Sequence, residues 1–268
     1  MELEEAISQD LALVREKRPL VHSITNFVVM NETANAVLCI GALPIMSHAI
    51  EEVEEMVSAA GALVLNIGTL APEWVDAMQV AAKRANGSGI PVILDPVGAG
   101  ATRLRTDSAR RLLENARISV VRGNAAEAAA LVGVSSEIRG VESVGAAAAA
   151  EEVAGQVVAA YGCTVAVTGP VDYVTDGARS ARISNGHAMM SKLVGTGCMA
   201  DVIVAAFAAV QQDAFTAAVG GLAAFGVAGE MAAAVSGPKP GTFHVELYNA
   251  LCALEPDTLR ERARITQL

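Results

Sequence analysis

Asp95 closes the apolar run Pro91-Val-Ile-Leu-Asp95, and Pro96-Val-Gly-Ala-Gly100 follows at once. A carboxylate at the end of a buried strand is costly unless a cation or hydrogen-bond donors meet it. Arg122-Gly-Asn-Ala-Ala-Glu127 repeats the arrangement, with an arginine at the end of an apolar run and an acid just beyond. A third piece is Val194-Gly-Thr-Gly-Cys-Met-Ala200, a glycine turn entering a segment with no charge from Val202 to Val210. A turn of this kind aims free backbone N–H groups and the positive helix-dipole end at an anion, most often phosphate. Cys198 stands near the first helical turn, where a thiolate is favoured and a nearby hydroxyl could pass its proton to it. Two carboxylates, an arginine and a helix terminus meet the needs of phosphoryl transfer, in which metal and dipole stabilise charge on the moving group.

Plainer roles compete at several of these positions. Glu127 lies three residues after Asn124, the spacing of a capping box. The alternative is that Glu127 and Asp95 share a hydrated magnesium ion, which takes one or two carboxylates with phosphate and water. Thr168, before Gly169-Pro170, fits a turn hydroxyl. Asp201 shares a helical face with Cys198, where a carboxylate would raise the thiol's pKa, or it bonds to polar neighbours without touching catalysis. No G-x-x-x-x-G-K-[ST] sequence is present, which excludes a P-loop.

Positioning these residues requires alternating strands and helices. Strands are expected at Leu20–Ile24, Leu43–Ser47, Ala62–Ile67, Pro91–Asp95, Ile118–Arg122 and Thr164–Thr168, nearly continuous in apolar residues as parallel strands buried on both faces should be. Helices are expected near Asn26–Ile40, Glu51–Ala60, Pro72–Asn86, Thr106–Asn115, Ala125–Val132 and Val144–Tyr161, with Gly41, Gly61, Gly87 and Gly162 as C-terminal caps. Repeated β-α units predict a doubly wound α/β fold with helices on both faces of a mostly parallel sheet. Turn signals around Val171–Thr175 and Ala181–Ser184 predict a small antiparallel edge. Helices at Met199–Gln211, Asp213–Ala234 and Phe243–Leu254 complete one domain over residues 1–268. Ligands of open α/β sheets bind beyond the carboxyl ends of the strands. That rule selects Thr25, Asn26, Met46, Ser47, Asn66, Asp95, Arg122, Asn124, Glu127 and Thr168.

Composition removes other classes of function. A net charge of −10 with 3% aromatic residues argues against a nucleic-acid surface. Although 53% of the chain is hydrophobic, Ala214–Gly229 is interrupted by glycines and bounded by Asp213 and Glu230, so no transmembrane helix is expected. The acidic start MELEEAISQD lacks the features of a secretory signal, and a cytoplasmic location is expected. Four cysteines without C-x-x-C or zinc spacing leave Cys39, Cys163 and Cys252 as small buried hydrophobes.

Six blocks carry a family resemblance along nearly the whole chain: His22-Ser-Ile-Thr-Asn26, Asn31-Glu-Thr-Ala-Asn35, Pro44-Ile-Met46, Leu94-Asp-Pro-Val-Gly-Ala-Gly100, Arg122-Gly-Asn-Ala-Ala-Glu127 and Gly195-Thr-Gly-Cys198. In this order they resemble the hydroxyethylthiazole kinases, a family of the ribokinase-like superfamily used in thiamine salvage. The resemblance implies a ribokinase-like fold and ATP- and magnesium-dependent phosphorylation of the hydroxyl of 4-methyl-5-(2-hydroxyethyl)thiazole. It further implies that Asn26 and Met46 line the thiazole site, with Gly195 near the hydroxyethyl arm. Arg122 and Thr168 would bind ATP phosphates, and Asp95 and Glu127 would organise Mg2+. Cys198 would take the catalytic-base position beside an anion hole of the Gly195, Thr196 and Gly197 N–H groups. Homotrimers with active sites between subunits are also implied, so that Asn26 and Met46 face the neighbouring chain. Asp201 departs from the family, which more often has an uncharged residue there. Rival readings are a related kinase acting on hydroxymethylpyrimidine or pyridoxal, and a non-catalytic thiazole- or nucleotide-binding protein.

Overall fold

A computed structural model of the chain describes residues 2–134 and 143–268. In chain order the elements are α1 (Leu3–Lys17), β1 (Leu20–Ile24), α2 (Met30–Ile40), β2 (Leu43–Met46), α3 (Val53–Ser58), β3 (Ala62–Asn66), α4 (Pro72–Gly87), β4 (Val92–Asp95), α5 (Arg103–Asn115), β5 (Val120–Gly123), α6 (Ala125–Leu131) and α7 (Ser143–Tyr161). They continue with β6 (Thr164–Val167), β7 (Asp172–Thr175), β8 (Ser180–Ile183), a 3-10 turn (Ala188–Lys192), α8 (Thr196–Ala208), α9 (Ala214–Ser236), α10 (Pro240–Ala253), α11 (Pro256–Arg262) and β9 (Ile265–Gln267).

The strands form a single sheet in the order β2-β1-β3-β4-β5-β6-β7-β8-β9. Every pairing from β2 to β6 is parallel, and β6 to β9 pair antiparallel. This is the expected mostly parallel sheet with an antiparallel edge. Successive residues of a strand serve opposite faces. Ala62 and Val64 of β3 join one core with α1, α2, α8, α9 and α10, while Leu63 and Leu65 join a second core with α3 to α7. Chain direction along the sheet reverses between β1 and β3, and the crevice beyond such a switch point is where ligands of this fold class sit.

Several boundaries differ from expectation for local reasons. The helix expected from Asn26 starts at Met30, because the Asn26 side chain accepts a hydrogen bond from the Val28 N–H and holds residues 26–29 as a turn. The helix expected from Glu51 is the shorter α3. α5 begins three residues before Thr106, since Thr102 is its cap and accepts from the Arg105 N–H. Thr106 accepts from the Gly100 N–H instead. Gly41 and Gly162 adopt the left-handed cap conformation, but Gly61 does not, and Gly87 still belongs to α4, with Gly89 taking the left-handed turn beyond it. α1, α11, β9 and the 3-10 turn are additional to the expected elements. The run 214–236 is a helix long and apolar enough to cross a membrane, but most of it is buried within the protein between α8 and α10.

Candidate active site

The switch point is joined by side-chain amides. Asn26, just beyond β1, donates to Asn66 Oδ1 at the end of β3 (2.8 Å), and Asn66 donates to Asp95 Oδ2 at the end of β4 (2.7 Å). Asn66 also reaches Cys198 Sγ at 3.2 Å. Gly68 is confined to this place, because a Cβ there would stand 2.6 Å from the Asn26 side chain. The strand-end rule selects Asn66 without assigning it a role. Asn66 is the centre of the network.

Arg122, at the end of β5, lies next to it. Its Nη1 donates to Asp95 Oδ2 at 3.3 Å and to both Asp201 oxygens at 3.4 Å, and its Nη2 donates to Thr168 Oγ1 at 3.1 Å. Its Nε is buried and has no partner among the described residues. Burial works against the charged guanidinium, yet the Asp201 and Asp95 charges outweigh it and push the pKa up. α8 begins directly above with Gly195 as its N-cap in the left-handed conformation (φ 89°), and no side chain caps the helix. Its first N–H groups therefore remain available to a ligand. Gly195 packs so tightly on Val29 that a Cβ would come within 2.4 Å of the valine.

Cys198 sits in the first turn of α8, its Sγ among the Asp95 and Asp201 carboxylates, all three ligand atoms within 4.8 Å of one another. The thiolate expected from the helix terminus does not form at neutral pH. Burial, then the Asp95 and Asp201 charges, push the thiol up to about 12. Asp201 is itself buried, and that burial, against the pull of Arg122 and reinforced by Asp95, raises its pKa. The carboxylate three residues on thus raises the cysteine, and it also holds Arg122.

The capping-box reading of Glu127 is borne out. The Asn124 capping box is complete, with Glu127 Oε2 accepting from the Asn124 N–H at 2.9 Å. Oε1 accepts from the Gly98 N–H at 2.8 Å, which ties the loop after β4 to α6. Burial and the Asp95 charge raise its pKa. Glu127 lies outside the close group of Asp95, Cys198 and Asp201. Met46 ends β2 at the sheet's edge, half-buried and in register with Ser23, away from the Arg122 cluster.

A cavity of about 600 Å³ opens beside Arg122, Thr168, Thr196 and Gly197, and Asn185, His187 and Met190 complete its wall. These last three come from the segment around the 3-10 turn, where no periodic pattern marks them. Asp172, also on the wall, accepts from the Gly169 N–H at 2.9 Å. Burial pushes its carboxyl up to about 6, against the pull of that N–H and of Arg122. The folded protein therefore holds more protons than the unfolded chain between about pH 4 and pH 6. The Asp172 contribution to stability is therefore greatest below that window and is lost as pH rises through it. Asp172→Asn should flatten this slope and stabilise the protein above pH 6 by on the order of 1 kcal/mol. Thermal midpoints of both proteins between pH 4 and 8 check this, and parallel curves would count against it.

The family model of the hydroxyethylthiazole kinases matches residues 11–257. A hydroxyethylthiazole kinase from Chloroflexus aggregans is 53% identical over 259 residues, covering 95% of this chain and 91% of that protein. Another, from Thermoanaerobacter pseudethanolicus, is 52% identical over 256 residues, with 95% and 97% covered. Among solved structures, a hydroxyethylthiazole kinase protein from Pyrococcus horikoshii matches with a TM-score of 0.91 at 42% identity, covering 98% of this chain and 99% of that one. A Staphylococcus aureus pyridoxal kinase in complex with AMP-PCP shares the fold, with a TM-score of 0.61 at 14% identity over 80% and 88% of the two chains.

Proposed function

The chain belongs to the hydroxyethylthiazole kinase family, and we propose that the crevice between Asn26, Asp95, Arg122 and the start of α8 is where it transfers the phosphoryl group. The protein phosphorylates the hydroxyl of 4-methyl-5-(2-hydroxyethyl)thiazole with ATP, giving the thiazole phosphate used in thiamine phosphate synthesis. The observation that carries the site assignment is the buried guanidinium of Arg122 beneath an uncapped helix N-terminus, at the mouth of the cavity.

ATP occupies that cavity in this reading, its phosphates against Arg122, Thr168 and the N–H groups of Gly195, Thr196 and Gly197. Backbone donors fixed in this way stabilise charge as it develops and need no reorganisation. The thiazole lies on the other side of Cys198, next to Asn26, with its hydroxyethyl arm near Gly195. Asp95 and Glu127 fit a hydrated Mg2+. Both are oxygen donors, as that ion demands, and the buried Asp95 and Asp201 with the half-buried Glu127 surround the one guanidinium. Each Glu127 oxygen already accepts one N–H and keeps a lone pair for water. The soft sulfur of Cys198 is a poor ligand for such an ion. Bound there, Mg2+ would neutralise charge on the phosphates. Cys198 stands in the catalytic-base position as a neutral thiol. The loose transition state of phosphoryl transfer asks little of a base, so alignment by Asn66 and Asn26 is the larger contribution.

Residues 1–268 act as one domain in this reading, carried by one continuous sheet. The assembly is a homotrimer in the cytoplasm. Phe27, Val28 and Val194 are 66%, 63% and 74% exposed around the thiazole side of the crevice. Apolar surface gathered at a site marks a contact, and a second copy set there would bring Asn26 and Met46 to a neighbouring chain. Phe27→Asp should convert a species of three chains' mass into single chains by light scattering and raise KM for the thiazole. An unchanged mass of one chain in the parent protein would remove the trimer from the account.

The test of function is ADP release with hydroxyethylthiazole, hydroxymethylpyrimidine and pyridoxal in parallel, with and without magnesium. Turnover should be greatest with the thiazole and should require the metal. Thiazole binding without ADP formation would favour a binding protein instead.

A further inference from the structure

α2 and α10 lie side by side away from the crevice, joined by a polar seam. Glu32 of α2 bonds His244 Nε2 (2.6 Å) and accepts from the Tyr248 hydroxyl of α10. At the opposite end Arg15 packs on the end of α2 and bonds the end of α10. Its Cγ would lie 2.8 Å from a Cβ on Gly41, just past α2, and its Nη2 donates to the Cys252 carbonyl at 3.1 Å. The two helices therefore run parallel, pinned at both ends. From Glu32 to Cys39 is seven residues and from His244 to Cys252 is eight, axial rises of about 10.5 and 12 Å. Glu32 and Cys39 are on one face of α2, and His244, Tyr248 and Cys252 on one face of α10. The seam therefore ends on a pair of thiols. Cys39 is half-buried against the core, and Cys252 is exposed, which corrects the expectation that Cys252 is a buried hydrophobe.

We propose that Cys39 and Cys252 form a dithiol–disulfide site that reacts with low-molecular-weight disulfides and, when oxidised, clamps α2 to α10. Cys252 is the sulfur that solvent reaches, and Cys39 is the one behind it. The Cys252 thiolate attacks one sulfur of the small disulfide, breaking its S–S bond and releasing one thiol. The Cys39 thiolate then attacks the Cys252 sulfur of the mixed disulfide and releases the second. Two protein thiols are oxidised, one small disulfide is reduced to two thiols, and the two protons lost by the protein go to those thiols. Burial and the adjacent Cys252 thiol push Cys39 up to about 12, so the second step quickens with rising pH. α2 runs back to Val29, which packs on Gly195, so the clamp acts on the element that carries the Asn26 turn.

The full-length protein, incubated with oxidised glutathione at pH 8 and analysed intact and after non-reducing digestion, tests this. The expected result is a chain two hydrogens lighter, a linked peptide pair containing Cys39 and Cys252, and reversal by dithiothreitol. Cys252→Ser should show neither the mass loss nor the linked pair. Cys39→Ser should stop at a glutathione adduct on Cys252. A persistent adduct on Cys252 in the parent protein, a chain-to-chain disulfide, or no reaction would overturn the proposal. None of these outcomes depends on kinase activity, so the site stands or falls apart from the function above.

Discussion

Asp95→Ala is expected to lower kcat by about a hundredfold to a thousandfold, the range seen when a preorganised charge-stabilising group is removed. The residue does three things at once. Its Oδ2 receives Asn66 at 2.7 Å and Arg122 at 3.3 Å, and its charge is one of the two that organise the metal in the proposed site. Without it Asn66 loses the acceptor that fixes its amide, and the Asn26–Asn66 pair can rotate away from the thiazole. Arg122 would keep Asp201 at 3.4 Å and swing toward it, away from the phosphate position. Asp201 would still compensate the guanidinium, so folding should survive even though stripping a buried charge of its partner costs about 3–5 kcal/mol. Circular dichroism and thermal melting separate the two effects. A folded Asp95→Ala protein with turnover within tenfold of the parent would show that the carboxylate is only a structural counter-ion.

Gly197→Ala should be nearly as damaging, by about a hundredfold in kcat/KM for ATP, for a reason that touches no reactive side chain. A Cβ at this position would stand 2.7 Å from Arg122 Nη2 and 3.1 Å from Nη1. The end of an arginine can usually move aside, but this one is buried and tied to Asp95, Asp201 and Thr168. Shifting it breaks those bonds or pushes it into the space the phosphates need. Alanine suits a helix better than glycine by about 1 kcal/mol, which offsets part of that loss, so stability should fall far less than nucleotide affinity. Equal loss of stability and activity would point to a packing role alone.

How much of this was legible in the sequence depends on distance along the chain. Asp95 and Arg122 could be found because each ends an apolar strand, and the glycine turn because Gly195 and Gly197 precede an uncharged helix. The role of Asn66 could not. Its amide bridges Asn26 and Asp95 only because β1, β3 and β4 are adjacent, and strand order is a long-range property. The wall built from Asn185, His187 and Met190 was hidden for a related reason, since a 3-10 turn has no hydrophobic period to read. α1 was missed although Leu3, Ile7, Leu11 and Val14 form an apolar stripe that is buried in the fold. The chemistry of Cys198 was read in part. A helix terminus alone favours a thiolate, and only the packed site adds the burial and the two carboxylates that hold it neutral.

In the proposed site positioning and backbone donors carry the reaction while the thiol stays protonated. Turnover of Cys198→Ala at saturating ATP and thiazole, across pH 6 to 9 beside the parent protein, tests this most directly. The prediction is a loss of less than about a hundredfold with an unchanged pH profile, below the upper range of a working general base. A loss of about ten-thousandfold, or the disappearance of a limb of the profile, would show that Cys198 takes the proton and would contradict the account.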